Sequence, residues 1–348
     1  VRINTQGRKY VAECSSVLGL ALQVLSDYWR LLPGSTTTNK QRGDNVMAVP
    51  VNILDKRNVK IGFVGLGLMG SRLTQRLHSA GWNVQAWNRS PGPADVLRRE
   101  GVAIATSVAE LVVGSDVILS SLANDEAVRS VYFAVGGIFS AAKRGTIILE
   151  MSTISPELSR LLHRQACTLG ISLLDMAISG STPAVEAGTI TLLAGGAQKT
   201  FEQCTPIYES IAKQWFLMGP GSSGVQMKLV VNLLLGLDMQ AIAEAVSLGE
   251  HLKIDRDIML DVLSKTAVIP PAFVGKFQKI KNGDYSPEFP LRLMSKDMDL
   301  AMNAAKSSGA VLPAATAAQS VLASNISANG DLDLAAITPF VIGQTANG

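Results

Sequence analysis

The sequence predicts a doubly wound α/β domain with a mostly parallel sheet, followed by an all-α domain that a long interdomain helix joins to it. Three observations carry this reading. From Val59 onward, short apolar runs alternate with helical stretches, the pattern of strands linked by crossover helices. The first of those runs, Val59 to Val64, flows directly into a glycine-rich turn. Past the loop Gly219-Pro220-Gly221-Ser222-Ser223-Gly224 the texture changes: Val225 to about Leu252 is proline-free and apolar with helical periodicity. A chain of 348 residues, 47% of them hydrophobic, has material for two cores.

Taken in order, residues 1–58 stand apart as an extension or linker. They hold eight basic side chains against four acidic ones, whereas the whole chain carries a net charge of only +3, so everything after residue 58 is close to neutral. That balance leaves no electrostatic footprint for nucleic acid. Val11 to Leu32 has the pattern of an amphipathic helix stopped by Pro33-Gly34, and Ser35 to Asn45 that of a polar linker. The segment is basic and rich in Ser and Thr, as organelle-targeting segments are, but Glu13 and Asp27 interrupt it and no cleavage-like pattern follows. A cytoplasmic protein is the expectation, with organelle targeting as the alternative. Cys14, Cys167 and Cys204 are isolated from one another and from the histidines, so neither a disulfide framework nor a metal site is expected. No membrane span is expected either, because the apolar run Leu229 to Leu237 is interrupted by Asn232 and falls short of the roughly 20 residues a bilayer needs.

The first α/β unit is the most informative. Gly65-Leu66-Gly67-Leu68-Met69-Gly70 follows a buried strand and opens a helix to about Ser79, which is G-x-G-x-x-G in the context a dinucleotide requires. Gly65 permits the tight turn, Gly67 lets the backbone approach a pyrophosphate, and Gly70 allows close helix-to-strand packing. The helix N-terminus then supplies free N–H groups for phosphate. A second strand, Asn83 to Trp87, ends in Asn88-Arg89-Ser90, with Arg89 placed 19 residues after Gly70, where a ribose-reading residue belongs. An acidic side chain there would hold the 2′-hydroxyl of NAD; an arginine favours the 2′-phosphate of NADP(H). Further strands are predicted at 116–122, 146–150, 173–175, 189–193 and 215–217, making six or seven in a Rossmann domain spanning 59–220. Ligands in such sheets gather at strand carboxyl ends. This picks out Leu122-Ala123-Asn124 and Met151-Ser152-Thr153 as cofactor-facing loops, and 177–181 as a loop reaching toward substrate.

In the helical half, 221–348, Lys228 and Asn232 stand at i and i+4 and share one face in the first two turns of the long helix. A lysine amid Val225, Met227, Leu229 and Val231 is either a snorkelling surface residue or a buried amine whose pKa burial would bring into the range of a general acid. His78, His163 and His251 all fall in helical stretches away from strand ends and are assigned helix-surface roles, which leaves the lysine as the better proton donor.

Four ordered motifs in this chain resemble the β-hydroxyacid dehydrogenases: the glycine turn 65–70; Asp175 through Ser179-Gly180-Ser181 with Ala187-Gly188-Thr189; Gly221-Ser222-Ser223-Gly224 leading to Lys228 and Asn232; and Lys296-Asp297-Met298-Asp299-Leu300-Ala301. The resemblance covers about 59–345. It implies an active site in the cleft between the two halves, with Lys228 as catalytic acid/base and Asn232 assisting substrate binding. It also implies Ser179, Gly180 and Ser181 as the receptor of a substrate carboxylate, Thr153 and Lys296 at the cofactor, and Asp297 orienting Lys296. Two departures stand out: Ala177 occupies a position that is usually proline, and Glu150 one that is usually aspartate.

Within that family, Trp87-Asn88-Arg89-Ser90 and Pro287-Glu288-Phe289-Pro290-Leu291 are similar to the NADPH-dependent glyoxylate/succinic semialdehyde reductases. Gly309 to Gln319 is similar to tartronate semialdehyde reductase, and 3-hydroxyisobutyrate dehydrogenase is a further alternative. The expected activity is hydride transfer between NADP(H) and a small aldehyde acid or β-hydroxyacid. An imine reductase of the same architecture, and a catalytically silent NADP-binding scaffold, are the rivals. The apolar long helix and the alanine-rich stretch 314–323 imply a homodimer or homotetramer.

Overall fold

The computed structural model describes residues 51–343; the amphipathic helix and linker expected within residues 11–45 lie outside them. Eight strands form one sheet: β1 (Lys60–Val64), β2 (Asn83–Trp87), β3 (Ala103–Ile104), β4 (Val117–Ser120), β5 (Ile147–Glu150), β6 (Ser172–Ser179), β7 (Ile190–Gly195) and β8 (Ala212–Gly219). Their order is β3-β2-β1-β4-β5-β6-β7-β8, parallel throughout except where β7 runs against β6. The chain order reverses between β1 and β4, and that switch point is where a doubly wound sheet opens a crevice for ligand.

The strands read as continuous apolar runs because both faces are covered. In β4 all four residues are buried. Val117 and Leu119 join the core on one face, with Phe63, Val84, Leu149 and Met176, while Ile118 joins the other, with Val64, Ile148, Leu158 and Leu162. A third core, built on Met239, Val246, Phe273, Phe277, Met294 and Met298, belongs to the helical half. The helix Ser223–His251 enters both halves: Val225 packs beneath the sheet and Met239 to Val246 in the helical core. By length and composition this helix could cross a bilayer, which the interrupted run at Leu229 to Leu237 did not disclose. Its buried face, however, carries Lys228, Asn232 and Gln240 among the apolar residues and is spent on the two cores.

Several boundaries differ from expectation. Residues 51–58, assigned to the extension, pack on the body: the N–H of Leu54 donates to the carbonyl of Gln203 at 3.1 Å, and Leu54 lies against the core. Strand β3 has two residues, too few for any periodicity to reveal, and brings the count to eight rather than six or seven. The predicted substrate loop 177–181 is largely strand, because β6 continues to Ser179, which pairs with Thr191 of β7. Only Gly180 and Ser181 lie beyond its end.

Candidate active site

The glycine turn has the shape its residues require. Gly65 sits at φ 94°, a left-handed conformation that favours glycine. A side chain on Gly70 would collide with the carbonyl of Gly65, whereas one on Gly67 would meet nothing within 4 Å. The turn is therefore closed by Gly70 and open at Gly67, the side on which a pyrophosphate can approach. Asn88 holds it in place: its Oδ1 accepts the N–H of Leu66 at 2.9 Å, and its amide donates to the carbonyl of Ser90 at 2.9 Å.

This turn forms one wall of a cleft of about 1000 Å³ that also contains Arg89, Ser90, Leu122, Ala123, Thr153, Gly180, Lys228, Asn232, Lys296 and Asp297. Arg89 is exposed there, and among the described residues it makes no ion pair. The cleft thus has an open glycine cradle and, at the end of β2, a guanidinium able to pair with an anion. These features fit a nicotinamide dinucleotide.

At the opposite wall the long helix presents Lys228 and Asn232, both buried. Burial lowers the Lys228 ammonium to about 8; the Asp297 carboxylate opposes that shift and the Lys296 ammonium adds to it. Asp297 joins the groups. Its Oδ2 accepts the Asn232 amide at 2.5 Å, and its Oδ1 lies 2.7 Å from Lys296 Nζ. Lys296 also donates to the carbonyl of Thr153 at 2.7 Å, tying the helical half to the loop after β5. Asn232 Oδ1 is buried with no partner in the protein. An acceptor left open in a cleft beside a near-neutral lysine is suited to a substrate hydroxyl.

Five of the sequence-derived residues sit elsewhere or act differently. Asn124 is not among the cleft-lining residues; its Oδ1 caps the helix Asp125–Phe133 by accepting the N–H of Ala127 at 2.9 Å. A strand-end asparagine serves a helix cap as readily as a ligand, and here the cap prevails. Ser179 and Ser181 flank the cleft while Ile178 and Gly180 line it. Asp175, grouped with the substrate motif, is wholly buried and binds backbone N–H groups of the long helix. His163 is not a surface residue of its helix, since its ring is hydrogen-bonded to Asp175.

The structure adds residues that spacing could not supply. Glu150, at the end of β5, is fully buried, which pushes its carboxyl above the usual carboxylate range against the hydrogen bonds it receives. Ser120 Oγ donates to its Oε2, Tyr132 adjoins Ser120 at 2.7 Å, and the N–H of Ser152 donates to its Oε1 at 2.8 Å. Ser152 Oγ in turn accepts the N–H of Leu122 at 2.8 Å. Glu150 thus binds the two cofactor-facing loops to each other. Replacing Glu150 with alanine removes the acceptor of two buried donors, Ser120 Oγ and the Ser152 N–H, and a buried polar group left unsatisfied costs roughly 1–3 kcal/mol. A destabilisation of about 3 kcal/mol in urea unfolding is expected, together with weaker nucleotide binding; a change within 0.5 kcal/mol, the range of about ±0.5 kcal/mol typical of neutral surface substitutions, would refute the link.

On the helical side, Glu288, Phe289, Arg292 and Leu293 line the cleft. Their segment is held by Asp333, whose Oδ2 accepts the N–H groups of Glu288 and Phe289 at 3.0 and 3.2 Å and pairs with Lys276 at 2.9 Å. The run Pro287 to Leu291 was visible in the sequence, but its place at the cleft was not.

Comparison with known proteins agrees with this architecture. Residues 60–219 match the NAD-binding domain of 6-phosphogluconate dehydrogenase, and residues 222–341 match the NAD-binding domain of NADP-dependent 3-hydroxyisobutyrate dehydrogenase. The chain is 33% identical to 2-(hydroxymethyl)glutarate dehydrogenase of Eubacterium barkeri, over 74% of this chain and 86% of that one. It is 31% identical to glyoxylate/succinic semialdehyde reductase 1 of Arabidopsis thaliana, over 81% and 98%. The solved 3-hydroxyisobutyrate dehydrogenase of Mycobacterium tuberculosis, with L-serine, superposes with a TM-score of 0.72 at 30% identity, covering 81% of this chain and 99% of that one. The two-domain cleft, its nicotinamide-dinucleotide wall and these matches place the chain in the 3-hydroxyisobutyrate dehydrogenase-like family of β-hydroxyacid dehydrogenases, as an oxidoreductase.

Proposed function

We propose that this oxidoreductase uses NADPH to reduce a small aldehyde acid, glyoxylate or succinic semialdehyde, to the corresponding hydroxy acid. The observation that carries the reading is Lys228, buried in the cleft with its ammonium lowered to about 8 and flanked by Asn232 and Asp297. A lysine balanced near neutral pH can give up a proton and recover it. Bound NADPH supplies the hydride. Lys228 Nζ gives its proton to the carbonyl oxygen as that oxygen becomes an alkoxide, and Asn232 Oδ1 accepts the hydrogen bond of the new hydroxyl. The carboxylate is received just past the end of β6 by the backbone N–H of Gly180, which lines the cleft between Ser179 and Ser181, and this fixes the distance from the anion to the reacting carbon. Asp297 keeps Asn232 and Lys296 in register with the Thr153 loop.

NADP(H) over NAD(H) is supported by Arg89 at the end of β2, and the choice of aldehyde by the likeness to the glyoxylate/succinic semialdehyde reductase. A homodimer or homotetramer belongs to the same reading, since Val230, Leu234 and Leu248 stand exposed on the long helix and Leu252 just past its end. The test is a rate panel of NADPH and NADH oxidation on glyoxylate, succinic semialdehyde and a cyclic imine, with NADP+ and NAD+ reduction on 3-hydroxyisobutyrate beside it. The expected outcome is fastest nucleotide oxidation with NADPH and one of the two aldehydes. Turnover confined to the imine, or absent from every pair, would defeat the proposal.

A further inference from the structure

The long helix that carries Lys228 starts without a cap of its own. Its N-cap residue Ser222 lies at φ 82°, the side chain accepts no N–H of the first turn, and that turn has no acidic residue. Orphan N–H groups at a buried helix start must be satisfied from elsewhere. Asp175, in the middle of β6, satisfies them. Its Oδ1 accepts the N–H of Ser222 at 2.7 Å and its Oδ2 the N–H of Val225 at 2.8 Å. A third donor, His163 Nε2, lies 2.7 Å from Oδ1. Ser222 Oγ adds a bond to the carbonyl of Pro156, the first residue of the helix Pro156–Leu169 on which His163 sits.

The seat leaves no slack. A side chain at Gly221 would run into the His163 ring, and one at Gly224 into the backbone of Asp175, Leu193 and Gly195. The two ends of this contact also bear on the reaction. Asp175 precedes Ser179 by four residues on the same strand, and Val225 precedes Lys228 by three on the same helix. One carboxylate therefore spans from the strand that ends at the substrate anion to the helix that delivers the proton.

We infer that Asp175, held by His163, is a positioning residue that sets the rotation and height of the Ser223–His251 helix and thereby aims Lys228 Nζ at the substrate oxygen. The inference rests on the reading of Lys228 as proton donor. A misplacement of about 1 Å can reduce rate on the order of 100-fold. By contrast, the glycine turn that holds the nucleotide lies at the end of β1, separated from β6 by β4 and β5.

The experiment is a double-mutant cycle between Asp175→Asn and Lys228→Met, assayed with NADPH and whichever of glyoxylate and succinic semialdehyde is reduced faster. Asp175→Asn keeps the volume and removes one acceptor; it is expected to lower kcat by roughly 10- to 100-fold while KM for NADPH stays within about twofold, because the nucleotide turn is untouched. His163→Gln, which leaves the carboxylate in place, should give a smaller loss of the same kind, and it carries the test should Asp175→Asn fail to fold. In the Lys228→Met background neither substitution should cost anything further. Equal losses in both backgrounds, or kcat within twofold of the parent in both single variants, would overturn the inference. A Lys228→Met enzyme with normal turnover is a distinct failure, removing the proton-donor reading itself.

Discussion

Lys228→Met is expected to lose turnover and gain stability in the same protein. The lysine is removed from water at the foot of the long helix, and its ammonium titrates near 8 rather than at the 10.5 of a free side chain. A folded-state value below the unfolded one means that the native protein disfavours the charged form. The penalty is full below about pH 8, shrinks as the pH rises, and vanishes above 10.5. At neutral pH it corresponds to about 3 kcal/mol. Methionine fills a similar volume without a charge, so the melting temperature should rise by several degrees, most at neutral pH and least at pH 10. Reduction should fall by about 100- to 10,000-fold, the usual value of a positioned acid. In the parent enzyme, reduction should decline as the pH passes about 8, where Lys228 loses its proton, and oxidation of the hydroxy acid should rise over the same interval. Calorimetry across pH and initial rates in both directions check these statements. A variant retaining half of the parent turnover would end the assignment.

Arg89→Asp should invert the choice of nucleotide. The guanidinium stands exposed at the cleft, at the end of β2, where the adenosine ribose of a dinucleotide lies in a doubly wound fold. Against a 2′-phosphate, arginine offers a charge-assisted and often bidentate bond, whereas aspartate offers like-charge repulsion and an acceptor for a free 2′-hydroxyl. Like-charge juxtaposition costs several kcal/mol, so the NADPH-to-NADH ratio of kcat/KM should fall by on the order of 100-fold, chiefly through KM. Because the pair is exposed, the parent preference should also weaken as ionic strength rises. Initial rates with both nucleotides at two salt concentrations decide it, and a ratio that moves by less than threefold would exclude Arg89 from reading the phosphate.

Much of the nucleotide wall was legible because its constraints are local. Gly65, Gly67 and Gly70 are each demanded by backbone conformation or contact within one strand–turn–helix unit, and the structure finds a positive φ, an open face and a close contact at those three positions. Lys228 and Asn232 were legible for a similar reason, since four residues on a helix place two side chains on one face. Where a position served two local purposes, the sequence could mislead. Asn124 follows a strand and precedes a helix, so it suited a ligand loop and a helix cap equally, and only the bond to Ala127 distinguishes them. Asp175 sat inside a motif associated with substrate, although its carboxylate points into the protein toward the N–H groups of Ser222 and Val225.

Periodicity and glycine spacing determined the order of strands and helices, the dinucleotide turn and the helix face that bears the lysine, because each depends on neighbours a few residues apart. Tertiary structure alone decided which distant groups condition that lysine. Asn232 and Asp297 are separated by 65 residues, Asp175 and Val225 by 50, and Lys296 and Thr153 by 143. No local pattern encodes such distances; they arise when apolar faces are buried against one another and the polar groups carried inside must find partners.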